Sequence, residues 1–338
     1  MNGCDSKFVN DKYNSAHYED GKFKNEYLDY ENNFSKLASI TWDFIFNKSK
    51  ESVPKEELPI ESLTKKDIEN LEDYSVVRFG HSTLFFKLEN KLILTDPVFG
   101  LRASPFSFIG PKRFHKSPID IEELPDIDIV LISHDHYDHL DEYSIKKLKD
   151  KVGKFYVPMG VSARLQKYGI DKEKIVELDW WKDSMEKNIR LICTPAQHFS
   201  GRGLFDKDST LWASWVIETP KAKLYFGGDS GYFEGFKEIA WNYGPFDMTF
   251  LEVGAYNEKW KEIHMLPKEG IQAHIDLKGE VLFPIHNGTF DLAFHSWKDP
   301  FEKIIKEAEE NDVNLALPKM GQSISIFDKN KIIKWWDI

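Results

Sequence analysis

Directly behind the apolar run Ile127-Asp128-Ile129-Val130-Leu131-Ile132, the chain reads Ser133-His134-Asp135-His136-Tyr137-Asp138-His139-Leu140-Asp141. The run is short and rich in β-branched residues, so it reads as a buried strand that ends at the first histidine. Imidazole nitrogens and carboxylate oxygens are the donors a zinc-like cation takes in open, water-bearing sites. His134 and His136 lie two apart, so in extended or turning backbone they aim the same way. Asp138 and His139 open the next turn and can serve a second ion. A fold that carries this stretch must deliver a strand end into a polar pocket.

Composition bounds the rest. At 338 residues with 41% apolar content, the chain can bury one large core or two modest ones. A net charge of −11 gives no broad basic face, which excludes sequence-independent nucleic-acid binding. No apolar run approaches the length of a membrane-spanning helix, and no signal-peptide core is visible. These features point to a cytoplasmic protein. The pair Gly3-Cys4 resembles the end of a lipoprotein cleavage site without its apolar lead, so a lipid anchor through Cys4 is the alternative. Cys193 lies in the strand-like Ile189–Thr194 and reads as a buried free thiol rather than half of a disulfide.

Residues 1–70 are polar and broken by Asn, Asp, Gly and Glu. Within them Phe34, Leu37, Ala38, Trp42, Ile45 and Phe46 describe one amphipathic helix suited to packing on a larger body. Residues 71–338 read as the main domain, a succession of short apolar runs. Strands are expected at Val76–Phe79, Thr83–Leu88, Lys91–Thr95, Ile127–Ile132, Lys154–Val157, Lys174–Leu178 and Arg190–Thr194. A second group covers Trp212–Glu218, Lys223–Phe226, Met248–Val253, Val281–Ile285 and Ser323–Phe327. Helices are expected near 142–149, 160–168, 233–242, 267–277 and 297–310, the last opened by Asp299-Pro300. Two strand-rich halves with interspersed helices imply an α/β (α+β) fold, with stacked mixed sheets covered by helices.

Further donors recur behind apolar runs: His198 after Thr194-Pro195-Ala196-Gln197, Asp229 after Gly227-Gly228, and His286 after Val281–Ile285. A lone histidine after a strand is usually a hydrogen-bonded bystander, but together with the first cluster the pattern reads as a metal constellation.

The order His-x-His-x-Asp-His, then His, Asp and His, resembles the metallo-β-lactamase superfamily. Other segments resemble its branch of N-acyl-phosphatidylethanolamine-hydrolysing phospholipases D and their bacterial relatives. These are Phe79–Thr83, Leu94–Phe99, Arg102–Pro105, Gly110–Phe114, Glu177–Trp181, Gly228–Tyr232 and Gly254–Tyr256, with a looser match at Asp20–Asn25. The resemblance spans about residues 74–325 and implies a four-layer αββα sandwich. It implies two zinc ions per chain, with iron or manganese as alternatives. His134, His136 and His198 would hold one ion, Asp138, His139 and His286 the other, with Asp229 bridging. A metal-bridging hydroxide would then attack a phosphodiester, with Asp138 and Asp229 in the catalytic centre.

Around this core, Asp135 and Asp141 are expected to accept the second N–H of ligand histidines. His264 matches a family histidine near the reacting phosphate and is the candidate non-metal catalytic group, also touching substrate. Lys112 and Arg113 in Gly110-Pro111-Lys112-Arg113 offer a phosphate-facing loop. Glu252 is expected to line the substrate site; it stands where the relatives carry proline, and Asn287 stands where they carry an aromatic. His81 in its Gly-His-Ser turn is equally balanced between a local and a site role. His17, His115, His274 and His295 read as surface or core residues, and the pairs Trp180-Trp181 and Trp335-Trp336 as core.

The resulting expectation is a binuclear zinc phosphodiesterase acting on a small-molecule or phospholipid diester, with peripheral membrane contact as one mode. The alternatives are a lactonase or other hydrolase of a phosphorylated small molecule, and a metal-bound module without turnover. Oligomeric state stays open, a homodimer included.

Overall fold

The computed structural model describes residues 13–28, 39, 42, 47–106, 108–329 and 331–338. The expected helix over Phe34–Phe46 lies outside them apart from Ser39 and Trp42, as does Cys4. A small hairpin of β1 (Tyr18–Glu19) and β2 (Lys22–Phe23) precedes the short helix α1 (Lys65–Glu69). The first sheet is built from β3 (Ser75–Gly80), β4 (Thr83–Leu88), β5 (Lys91–Thr95), β6 (Ile127–Leu131), β7 (Val152–Pro158) and β8 (Ile175–Leu178). The second follows from β9 (Asp183–Glu186), β10 (Ile189–Thr194), β11 (Ser214–Glu218), β12 (Lys223–Phe226), β13 (Phe246–Glu252), β14 (Gly279–Ile285) and β15 (Asn314–Leu317). Then β16 (Ser323–Ser325) returns to the first sheet beside β3, and β17 (Lys331–Ile332) pairs with β15 in the second.

Each sheet has an antiparallel half and a parallel half. In the first, β5 to β8 run parallel; in the second, β12 to β15 do. Parallel neighbours need crossovers, and helices supply them. The helices α2 (Glu142–Leu148) and α3 (Ser162–Lys167) cover the first sheet, and α4 (Gly235–Asn242), α5 (Pro267–Asp276) and α6 (Asp299–Glu310) the second.

The period-two alternation of the strands sorts side chains between layers. In β10, Leu191 and Cys193 enter the core between the sheets, while Ile192 packs outward with Phe236, Ile239 and Ile271 under the helices. In β6, Ile129 and Leu131 face the inter-sheet core, and Val130 meets Ile145, Leu148 and Leu165 on the other side. Both faces of both sheets are therefore apolar, which fixes the αββα layering. Fully burying each such Leu, Ile or Phe is worth roughly 1.5–3 kcal/mol, so a one-residue slip that turned these sets over would cost far more than the ladder bonds it preserved.

The expected strands and helices appear with end shifts of up to two residues. The exceptions are short or polar: β1, β2, α1, β9, β15 and β17 fall outside the expected elements. Asp183-Ser184-Met185-Glu186 carries no apolar alternation because β9 is a half-exposed edge. Cys193 is a buried free thiol. Trp180 and Trp335-Trp336 are buried in the core, with Trp181 packed against it. No helix among the described residues is long and apolar enough to cross a membrane.

Candidate metal centre

The donors sit at one edge of the sandwich. Asp96 follows β5, the His134–His139 segment follows β6, His198 follows β10, Asp229 follows β12, Glu252 ends β13 and His286 follows β14. Loops beyond the carboxyl ends of such strands open on a common crevice, where ligand sites form. The backbone there is tightly drawn: His81, Asp96 and His286 are left-handed, with φ of 53°, 35° and 63°. Such conformations cost on the order of 1–3 kcal/mol each and gather at sites that the surrounding packing holds in place. Gly254 permits the closest approach, since a Cβ there would fall 1.7 Å from the His286 carbonyl oxygen.

One group of nitrogens converges without a carboxylate. His134 Nε2 lies 2.9 Å from His136 Nδ1, which lies 3.2 Å from His198 Nε2. Nitrogens about 2.1 Å from one tetrahedral ion stand about 3.4 Å apart, so this triangle has the size of a coordination face. The far ring nitrogens are held as well. Ser133 Oγ sits 3.0 Å from His134 Nδ1, and His198 Nδ1 donates to the Ile263 carbonyl at 3.0 Å. Burial, then neighbouring imidazoles, keep His134 and His198 well below the ordinary histidine range, leaving neutral rings with lone pairs to offer.

The other group gathers round carboxylates. Asp138 Oδ2 lies 3.2 Å from His286 Nε2 and 3.6 Å from His139 Nε2. Asp229 reaches His139 Nε2 with Oδ1 at 3.2 Å and His286 Nε2 with Oδ2 at 3.1 Å. Its Oδ2 is also 3.9 Å from both His134 Nε2 and His198 Nε2, so Asp229 stands between the two groups. Burial opposes ionisation of Asp138 and Asp229, yet the imidazoles hold both well below the carboxylate range. Burial likewise opposes a proton on His286, but Asp229 and Asp138 outweigh it and carry the ring up to about 10. His139 Nε2 and Asp229 Oδ1 are buried and face each other at 3.2 Å, but neither makes a hydrogen bond of good geometry with any described residue. Orphaned donors this deep fit a divalent cation, which satisfies them where a proton cannot satisfy all at once.

His264 sits at the mouth, its ring 5.1 Å from His198 and 5.6 Å from His286. Its Nδ1 donates to Glu252 Oε2 at 2.7 Å. Burial would lower His264, but Glu252 overcomes it and holds the ring above its ordinary value.

Five expected roles are revised by the geometry. Glu252 does not face outward to a substrate: it is buried, Oε1 accepts from the Ser230 and Met265 amides, and Oε2 holds His264. Asp141 caps α2 through the Tyr143 and Ser144 amides and ties down Gly100. Asp135 accepts from the Gly201 amide and pairs with Arg164. Among the described residues, neither aspartate makes a hydrogen bond to a histidine of the cluster. Arg113 turns inward, donating to the Val98 carbonyl and lying 5.6 Å over the Phe290 ring, one layer behind His81. Lys112 borders a surface cleft with Arg113 and His115, which no metal-site residue lines.

The partner of His139 is instead Asp96. Its Oδ2 accepts from His139 Nδ1 at 2.7 Å, while Oδ1 accepts the Ser133 amide at 2.7 Å. His81 joins the site, with Nε2 3.0 Å from Asp138 Oδ2 and its ring 3.9 Å from His286. Asn25 reaches in from the amino-terminal segment: the His198 amide donates to its Oδ1, and its Nδ2 donates to the His198 carbonyl. Asn287 is structural, accepting from Arg78 Nη2 and donating to the Val253 and Ile285 carbonyls. His115, His274 and His295 have local hydrogen-bond partners outside the cluster, and His17 packs on Trp180.

A sandwich with this ligand edge defines a class, the metal-dependent hydrolases. The family description "Beta-lactamase superfamily domain" matches residues 91–287, more than half of the chain. An uncharacterized protein of Mycobacterium tuberculosis is 40% identical over 332 residues, covering 95% of this chain and 87% of that one. The N-acyl-phosphatidylethanolamine-hydrolyzing phospholipase D 1 of Caenorhabditis elegans is 33% identical over 282 residues, 78% of this chain and 79% of that one. The chain belongs to the metallo-β-lactamase superfamily and has N-acyl-phosphatidylethanolamine-hydrolyzing phospholipases D among its relatives. In fold it is similar to Igni18, a metallo hydrolase from Ignicoccus hospitalis, with a TM-score of 0.56 and 20% identity over 74% of this chain and 97% of that one.

Proposed function

We propose that this metal-dependent hydrolase is a phosphodiesterase of phospholipase-D type that works with two zinc ions. The observation that carries the reading is Asp229, whose carboxylate faces both donor groups. His134, His136 and His198 would hold one ion and Asp138, His139 and His286 the other. When bound, such a pair lowers the pKa of water toward neutrality and stabilises charge developing on phosphoryl oxygens. The phospholipase relative supplies the substrate class by its name.

The chain's own residues then have separate tasks. Asp96 and Ser133 fix the rings of His139 and His134. Glu252 anchors His264 through Nδ1, leaving Nε2 to donate to a phosphate oxygen or to the leaving oxygen. Because Glu252 is occupied by three donors, it does not confront the phosphate as a bare anion.

The test pairs metal analysis with turnover of bis(p-nitrophenyl) phosphate and of a simple lactone. The reading expects two zinc ions per chain, diester hydrolysis that stops with a chelator, and recovery on adding zinc. Diester turnover that persists in chelator, or a lactone opened far faster than the diester, would sink it.

A further inference from the structure

His81 sits on the tight turn between β3 and β4, and its side chain is buried. A left-handed backbone, here with φ of 53°, is one that a residue other than glycine keeps only where its surroundings hold it. Those surroundings are explicit. The His81 amide donates to Thr289 Oγ1 at 2.7 Å, and its carbonyl accepts from the His286 amide at 3.2 Å. With its oxygen engaged by that amide, Thr289 turns its own hydroxyl proton to His115 Nε2 at 3.1 Å, and His115 Nδ1 donates to the Lys116 carbonyl at 2.7 Å. Gly80 lets the turn press against this bracket, since a Cβ there would fall 2.9 Å from His115 Cε1.

The imidazole itself is less fully engaged. Its Nδ1 is buried without a hydrogen-bond partner among the described residues, and Phe290 packs edge-on to the ring at 5.2 Å. Its Nε2 reaches one group, Asp138 Oδ2, at 3.0 Å. His115 and His295, outside the metal centre, each engage both ring nitrogens. A histidine kept for packing alone satisfies both in that way. His81 holds a strained backbone and forgoes one bond, and what it reaches in return is a single carboxylate.

We propose that His81 is a positioning residue for the second ion site, acting through Asp138. An ionised carboxylate only accepts, so Nε2 carries the proton and donates to Oδ2. That same oxygen faces His286 Nε2 at 3.2 Å and His139 Nε2 at 3.6 Å, so His81 fixes the oxygen that a cation between those rings would take. Hydrogen bonds to a ligating carboxylate set its orientation and so its affinity for the ion. Among the described residues, His134, His136 and His198 make no hydrogen bond to His81, so the first ion does not depend on it. This role rests on the two-ion reading and makes the two sites unequal: without His81, the second ion leaves while the first stays.

The experiment titrates the full chain with zinc against a chelating dye, for the wild type, His81→Asn and His81→Gln. Asparagine tolerates the left-handed backbone but is too short to reach Asp138, whereas glutamine carries an amide N–H to about where Nε2 stands. The second zinc is expected to bind about 10–100-fold more weakly to His81→Asn, with the first unchanged, and His81→Gln should recover most of that loss. Two zinc ions held as tightly by His81→Asn as by the wild type overturn the proposal. Equal weakening of both ions, as a damaged fold gives, overturns it as well. So does a loss in His81→Gln as deep as in His81→Asn, because His81 would then be a ligand itself. A wild type that takes a single zinc removes the two-ion reading, and this role falls with it; a wild type that takes two leaves that reading standing whatever the variants do.

Discussion

Asp96 accepts a hydrogen bond from His139 Nδ1 at 2.7 Å, and so presents the opposite nitrogen of that ring to Asp229. A carboxylate behind a ligand imidazole fixes its tautomer and raises its basicity, commonly worth 10–100-fold in ion affinity. Asp96→Asn is therefore expected to weaken zinc binding by about that factor. Competition with a chelating dye reads it directly, and affinity equal to the wild type's would show that Asp96 is only a structural residue. Asp96→Ala should also unfold more easily, by about 1–3 kcal/mol, because the Ser133 amide loses its buried acceptor.

His264 should be separable from the metals. His264→Ala is predicted to lower kcat on a diester by about 10²–10⁴-fold while leaving zinc content at the wild-type level. Loss of zinc in that variant would instead make His264 part of the ion's own holding set.

The amino-terminal clasp gives a third expectation. Asn25→Ala removes both hydrogen bonds to the His198 backbone and one from Trp212 Nε1. Stability should fall by about 1–3 kcal/mol, read from denaturant midpoints, with zinc affinity reduced as well. A midpoint and an affinity indistinguishable from wild type would show that the His198 loop holds itself.

Acid sensitivity follows from two histidines outside the metal centre. Burial pushes His115 down to about 3 and His274 down to about 4. Unfolded, each titrates near 6.5, the ordinary histidine value. Above that value neither state takes a proton there and stability is unaffected. From pH 6.5 down to about 4 the unfolded chain binds protons the fold refuses, so stability falls by roughly 1.4 kcal/mol per pH unit for each histidine. His274→Asn should flatten that slope by one such increment below pH 6.5, measured by urea unfolding across the range. An unchanged slope would mean that His274 does not stay neutral in the fold.

The central strands, such as β3, β4, β6, β10 and β13, were legible because they are buried on both faces, which makes continuous apolar runs. β9 escaped because it is a polar edge, and α1 because one capped turn, Thr64 to Glu69, leaves little periodicity to read. The donors were legible as residue types at strand ends. Their hydrogen-bond partners were not, because those are set by which ends meet in space. Asp96 is 43 residues from His139, and Asn25 is 173 from His198. Asp141 shows the opposite error: an aspartate directly before Glu142-Tyr143-Ser144-Ile145 is an ordinary helix cap, yet its nearness to the histidines drew it to them. Glu252 was misplaced for a similar reason, since strand alternation alone does not reveal that two amides and a histidine already occupy it.

The donors hang from both sheets: His134 to His139 from the first, His198, Asp229 and His286 from the second. An ion held between them acts as a rivet through the seam of the sandwich. Sliding one sheet against the other would tear the coordination shell apart as well as unseat the packed core between them. Loading the centre should therefore slow amide exchange in strands of both sheets together, far from any ligand. The mechanical integrity of the two halves and the readiness of the reaction centre are one property, not two.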